Sequence, residues 1–242
     1  ELKQEVERKQ KQLSKSKRMK ISLPDIPRCS RQVLMVNNLS KKYGQKVVLR
    51  DVDMEVQRGE RVVVIGKNGV GKTTLFKILA GKIKQSSGEY EWGETVSLGY
   101  YAQEYENLDY SRTVMENVKD VKLPQAWLDQ YWRNFLGRFL ITGDMVNQKV
   151  KTLSGGEKTR LALAKLFAQS LNVLLLDEPT TYLDPKSQEI LLEALKEYKG
   201  TIIIVSHEPR FVEGLEVDRL LLMPEEKFVY WDDKYLDRVG LM

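Results

Sequence analysis

Apolar and polar positions change rhythm several times along the chain, and each rhythm points to an element. Residues 33–56 alternate loosely on either side of Tyr43-Gly44, the pattern of antiparallel strands joined by a turn. Arg61–Ile65 is a short unbroken apolar run, as in strands buried on both faces. From Thr73 to Ala80, Leu75, Phe76, Ile78 and Leu79 fall at helical spacing. Residues 95–101 predict another strand, and residues 111–149 show no strand rhythm and read as mostly helical. A helix is expected over Lys158–Gln169. The runs Val173–Leu176 and Thr201–Val205 read as buried strands, separated by a helix at Lys186–Tyr198. Strands alternating with helices imply a mainly parallel sheet with crossover connections.

The start of the chain has another character. Residues 1–20 contain neither Pro nor Gly and are rich in Glu, Lys, Gln and Arg, all good helix formers. Their apolar anchors are few (Leu2, Val6, Leu13, Met19), so this helix is expected to project from the domain or to pack on something outside it. Pro24 and Pro27 end it and make a short extended linker. The expected division is a basic extension and linker over residues 1–32 and one domain over 33–242, with a helical subdomain at about 108–152.

Composition narrows the class. Of 242 residues, 42% are hydrophobic and 30% charged, ordinary for a globular chain able to bury a substantial core. The single cysteine, Cys29, excludes an intrachain disulfide, fits a reducing compartment and reads as a packing residue. No apolar run approaches the length of a bilayer span, and the charged start carries no signal-peptide pattern. A cytoplasmic location without direct membrane insertion is the expectation. The formal net charge is +5, and residues 1–20, with eight basic side chains against three acidic ones, hold all of the excess. Such a segment can meet a polyanion such as RNA, although charge alone also describes a solvated helix.

Three motifs carry the chemistry. Gly66-Lys67-Asn68-Gly69-Val70-Gly71-Lys72-Thr73 fits G-x-x-x-x-G-K-[ST], with a buried strand before it and a helix after it. Its glycines let successive backbone N–H groups point at phosphate oxygens, with the positive end of the helix behind them. Lys72 is placed to reach the β- and γ-phosphates, the Thr73 hydroxyl to bind Mg²⁺, and Thr74 follows at the helix start. The second motif ends a buried strand in two carboxylates. Asp177 suits the Mg²⁺ shell and Glu178 suits a general base for the attacking water. The third, Leu153-Ser154-Gly155-Gly156-Glu157, opens a helix. It is either a second anion site of backbone N–H groups or an ordinary N-cap with Ser154 as the cap, and local physics does not decide between them.

Together and in this order, the phosphate loop, LSGGE and Asp-Glu-Pro motifs resemble those of the ATP-binding cassette (ABC) ATPases, over roughly residues 33–235. The resemblance implies an α/β fold. The implied fold is an ABC-type P-loop domain with a mainly parallel core sheet, an N-terminal antiparallel β-subdomain and an inserted α-helical subdomain. It further implies ATP and Mg²⁺ as cofactors, with the nucleotide held by Tyr43 stacking on adenine and by Gly66, Asn68, Gly69, Gly71, Lys72, Thr73 and Thr74. Gln103 matches the glutamine that joins the Mg²⁺ and water network. Asp184 lies in the loop that crosses to a partner domain, and His207, the only histidine, matches the switch histidine that senses the γ-phosphate. In this family two domains meet head to tail, so Ser154, Gly155 and Gly156 are expected to contact an ATP held by a second cassette.

Within the family, the chain is similar to the ABC-F group, proteins with two tandem cassettes that act on ribosomes. The segment from Phe135 to Leu140 followed by Gly143-Asp144, the LSGGEK sequence with Thr159-Arg160-Leu161, and Phe228–Leu236 all look like that group. The basic start resembles the end of the arm joining its two cassettes, which implies a C-terminal cassette with ribosomal RNA or tRNA contact through the arm. The other reading is the motor domain of an ABC transporter. Two stretches depart from the ABC-F pattern: Thr180-Thr181-Tyr182-Leu183-Asp184 stands where that group usually reads Thr-Asn-His-Leu-Asp, and Glu208-Pro209 follows the histidine where it usually has Asp-Arg. The interval between Lys72 and Ser154 leaves no room for the long coiled coil of the DNA-repair and cohesion relatives.

Overall fold

The computed structural model describes residues 23–102, 107–121 and 129–239. The basic helix expected over residues 1–20 lies outside them, as does Gln103.

Among the described residues, nine strands form two sheets. β1 (Gln32–Tyr43) and β2 (Lys46–Gln57) are antiparallel around the Tyr43-Gly44 turn, with Tyr43 opposite Lys46. β4 (Ser87–Trp92) pairs with the other edge of β1, giving a three-stranded sheet ordered β2–β1–β4. The second sheet holds β3 (Arg61–Ile65), β5 (Leu98–Tyr101), β6 (Val173–Asp177), β7 (Thr201–Val205), β8 (Arg219–Leu222) and β9 (Lys227–Tyr230), ordered β5–β6–β7–β3–β8–β9. All its pairings are parallel except β8 with β9.

The unbroken apolar runs are explained by the layers on either side of this sheet. In β3, Val62 and Val64 face β1, β2 and helix α1 (Lys72–Leu79), while Val63 and Ile65 face the opposite side. That opposite side is covered by α4 (Gly155–Ala168), α5 (Pro185–Glu197) and α6 (Pro209–Leu215), which bury Leu161, Leu163, Leu191, Leu195, Phe211 and Leu215. β6 and β7 alternate between the same two cores: Leu174, Leu176, Ile202 and Ile204 go one way, and Leu175, Ile203 and Val205 the other. Each such side chain contributes about 1.5–3 kcal/mol on burial, so the centre of the sheet is the most securely held part of the domain.

The helical subdomain contains α2 (Val114–Lys119) and α3 (Asp129–Arg138), joined to the core by rings in series. Trp132, Phe135, Phe139, Phe167 and Tyr198 follow one another with centroid separations of 5.6–6.2 Å. The Phe135-to-Leu140 motif is thus the seam between subdomain and core. Buried Asn117 closes the segment before α2: it accepts from Asp109 N–H (2.8 Å) and donates to the carbonyls of Asp109 (2.9 Å) and Thr113 (3.0 Å). A last helix, α7 (Leu236–Val239), ends the described chain.

Candidate nucleotide site

Three parallel strands end at one edge of the sheet, and each delivers part of the site. Val64 of β3 and Asp177 of β6 are both in register with Val205 of β7. The phosphate loop leaving β3, the two carboxylates ending β6 and Ser206-His207 leaving β7 therefore emerge side by side. Ligands of open α/β sheets bind at such carboxyl ends. Tyr101 at the end of β5 is opposite Leu176, so β5 ends at the same edge.

The phosphate loop has its shape because of what β2 puts beneath it. Gly71 has φ +109, and a Cβ there would lie 2.8 Å from both the Val48 carbonyl oxygen and Leu49 Cδ2. Only glycine fits both the backbone angle and the space. Lys72 is 8% exposed, and its ammonium donates to the carbonyls of Gly66 and Lys67, the latter at 3.1 Å. Burial lowers its pKa, a shift that the nearby Glu178 and Asp177 oppose.

The loop borders a cleft of about 320 Å³ lined by Tyr43, Lys46, Val48, Asn68, Gly69, Gly71, Lys72, Thr73, Thr74 and Glu178. At one end the Tyr43 ring stands 52% exposed, with the Lys41 ammonium 5.0 Å from its centroid. A half-exposed tyrosine at the mouth of a phosphate-binding cleft offers a stacking face to a base. Lys46 and Val48 were not among the residues singled out from sequence. Their signal was the turn register, which sets Lys46 opposite Tyr43.

Asp177 lies behind Thr73 and is 2% exposed. Burial raises its pKa, and a hydrogen bond with the Thr73 hydroxyl works against that. Its Oδ1 is buried without a hydrogen-bond partner among the described residues. A buried carboxylate oxygen left unmatched costs free energy unless something binds it. Beside a threonine hydroxyl, that donor set fits Mg²⁺, a hard cation that takes oxygen ligands. Glu178 comes next with φ +49, and its Oε2 is 3.9 Å from His207 Nδ1 and 3.2 Å from the Thr181 hydroxyl. The His207 side chain is 42% exposed; like Asp177 and Gly66, it does not itself line the cleft.

The structure does not bring the remaining sequence candidates to this cleft. Ser154, Gly155, Gly156 and Asp184 are absent from its lining. Ser154 is the N-cap of α4 in a reciprocal capping box: it accepts from Glu157 N–H (3.4 Å), and its own N–H and hydroxyl donate to the Glu157 carboxylate (both 2.8 Å). Those bonds hold Glu157 below the usual carboxylate pKa. The turn remains exposed at Ser154 and Gly155, so the cap is satisfied locally while the turn still faces solvent. Asp184 caps α5 through Ser187 N–H (3.1 Å) and the Ser187 hydroxyl (2.7 Å). The Arg160 guanidinium of α4 reaches Ser187 Oγ (3.3 Å) and Asp184 Oδ2 (3.7 Å).

This arrangement can be set beside known proteins. The family model described as "ABC transporter" matches residues 49–181, more than half of the chain. The chain belongs to the ABC family. It is an ATP-binding, ATP-hydrolysing cassette. The probable ATP-binding protein YbiT of Escherichia coli O157:H7 is 38% identical over 208 residues, covering 86% of this chain and 39% of that protein. ABC transporter F family member 5 of Arabidopsis thaliana is 38% identical over 207 residues, 85% of this cassette and 30% of that protein. The cassette thus spans well under half the length of these relatives and resembles the ABC-F branch. Among solved structures, the dimeric ATP-binding cassette MJ0796 bound to ADP and Pi superposes with a TM-score of 0.68 at 23% identity, over 81% of this cassette and 98% of that chain, a likeness of fold. Among the described residues, no helix is long and apolar enough to cross a membrane.

Proposed function

We propose that this cassette is the C-terminal half of a two-cassette ABC-F protein and acts as an ATP-driven switch on the ribosome. The observation that carries the pairing is the division of the motifs. The cleft has the phosphate loop, Tyr43 and Glu178 on its walls, while Ser154–Gly156 and Asp184 face elsewhere. The exposed turn is available to an ATP held by a second cassette. ATP binds between the Gly66–Thr74 loop and that second turn, with Tyr43 against the base and Lys72 on the phosphates. Bound by Thr73, Asp177 and Gln103, Mg²⁺ would neutralise charge on the β- and γ-phosphates. Glu178 takes the proton of the attacking water, and His207 senses the γ-phosphate beside it.

ATP shifts the pair toward closure only by binding the closed form more tightly, which a two-sided phosphate site provides. Closure would then fix the basic arm in a shape that engages ribosomal RNA or tRNA, and hydrolysis would release it. The ABC-F relatives and the concentration of positive charge in residues 1–20 support this reading and a cytoplasmic location.

The test is sedimentation of the full-length protein carrying Glu178→Gln, with ATP, against purified ribosomes and against membranes. Glu178→Gln is expected to retain ATP, stall turnover and hold the closed form, so that the protein pellets with ribosomes only when ATP is present. Recovery with membranes and not with ribosomes would overturn the ribosomal role and make this the motor of a transporter.

A further inference from the structure

We propose that Thr181 is a positioning residue that holds the Glu178 carboxylate in its working orientation. The proposal rests on the reading of Glu178 as the general base. A glutamate at a strand end has three rotatable side-chain bonds, and a base must hold one orientation to reach a bound water. Glu178 has φ +49, a left-handed conformation uncommon outside glycine. Two backbone bonds hold it there: Glu178 N–H donates to Val205 O (3.1 Å), and Thr181 N–H donates to Glu178 O (3.3 Å). The side chains close the same turn a second time, because the Thr181 hydroxyl donates to Glu178 Oε2 at 3.2 Å. His207 Nδ1 faces that same oxygen at 3.9 Å. One carboxylate oxygen is therefore addressed from two sides, by the turn and by the strand-end histidine.

Threonine suits this task. Its hydroxyl sits on a β-branched carbon with restricted χ1, so the donor is stiff. The turn bearing it is also fixed from behind. Leu183 N–H donates to Thr180 O (3.0 Å), and Asp184 anchors the far end through Ser187. A Cβ on Gly156 would lie 2.9 Å from the Tyr182 carbonyl oxygen, so the start of α4 backs directly onto the turn. Thr181 itself is exposed, and its substitution removes little packing.

The experiment compares Thr181→Val, which keeps the shape and loses the donor, with Thr181→Ser, which keeps the donor. Both are made in the full-length protein, with Glu178→Gln measured in parallel to define the turnover that depends on Glu178. The expected result is that Thr181→Val lowers the kcat of that fraction about tenfold, part of the roughly 10²–10⁴-fold that a positioned proton-transfer group supplies. KM for ATP and binding of a fluorescent ATP analogue should stay within about twofold, and Thr181→Ser should recover most of the rate. Wild-type kcat in Thr181→Val, or equal loss in both variants, overturns the proposal while leaving Glu178 as the base. Wild-type turnover in Glu178→Gln overturns both readings.

Discussion

Gly71→Ala separates the shape of the phosphate loop from its chemistry, because it adds one methyl group and removes no hydrogen-bonding group. Gly71 has φ +109 and ψ 6, well beyond the left-handed region that an alanine tolerates best. That strain is worth about 1–3 kcal/mol. The new Cβ would also lie 2.8 Å from the Val48 carbonyl oxygen and 2.8 Å from Leu49 Cδ2. Leu49 is fully buried, and β2 pairs with β1 at Val47 and at Leu49, on either side of a register shift that leaves Val48 between them, so the two neighbours are held by the paired residues around them. Overpacking of this kind costs about 1–3 kcal/mol. Together the two effects amount to about 2–6 kcal/mol against the native loop.

The loop relieves this by changing shape, and ATP must then restore it on binding. At 1.4 kcal/mol per decade, ATP affinity should fall by at least about 30-fold. Gly81→Ala is the control: its φ is +69, nothing lies within 4 Å of its Cβ, and it is outside the cleft lining. It should lose about 1–2 kcal/mol of stability and bind ATP normally. Titration with a fluorescent ATP analogue, alongside thermal denaturation, reads both. Gly71→Ala affinity within threefold of wild type, or equal weakening in Gly81→Ala, would refute the reasoning.

Lys72→Met keeps most of the side-chain volume but removes the ammonium that the Gly66 and Lys67 carbonyls hold in place. ATP affinity should drop by about 10- to 100-fold, the value of a charge-assisted hydrogen bond, and unchanged affinity by calorimetry would count against its phosphate role. Asn117→Ala removes three hydrogen bonds from a fully buried side chain. It should cost about 2–3 kcal/mol and lower Tm by about 5–10 °C, seen as early melting by circular dichroism. Glu157→Gln tests the capping box by pH. The wild-type carboxylate titrates below its ordinary 4.5 because Ser154 N–H and then its hydroxyl favour the ionised form. Its contribution is therefore fully present above pH 4.5 and is lost as pH falls through the lowered value. With solvent screening the difference is about 0.5 kcal/mol at neutral pH; urea midpoints of the two proteins should converge in acid, and a constant gap would refute the assignment.

Much of this protein was legible in its sequence because the information is local. The Gly66–Thr73 pattern carries its own geometry, and the flanking strand and helix appear at β3 and α1 as the apolar rhythm implies. The runs at β6 and β7 are legible because a strand buried on both faces has no polar positions to confuse the pattern. Elements held by distant partners were not legible. β4 reads Ser-Gly-Glu-Tyr-Glu-Trp, too polar and short to announce itself, and exists because β1 pairs with it through Val36–Tyr90 and Leu34–Trp92. α4 begins at Gly155, ahead of the expected Lys158, because the Ser154–Glu157 capping box outweighs two poor helix formers.

For the site the division is the same. Sequence determined which groups are present: a glycine loop, a lysine, two strand-end carboxylates and one histidine. Tertiary structure decided which of them meet. Parallel register, set by cores on both faces of one sheet, brings the ends of β3, β6 and β7 to one edge and puts His207 within 3.9 Å of Glu178. The same packing leaves the Ser154 turn off the cleft and places the Thr181 hydroxyl on the Glu178 carboxylate. A sequence motif specifies local backbone and chemistry, whereas the approach of residues far apart in the chain is set by how the layers pack.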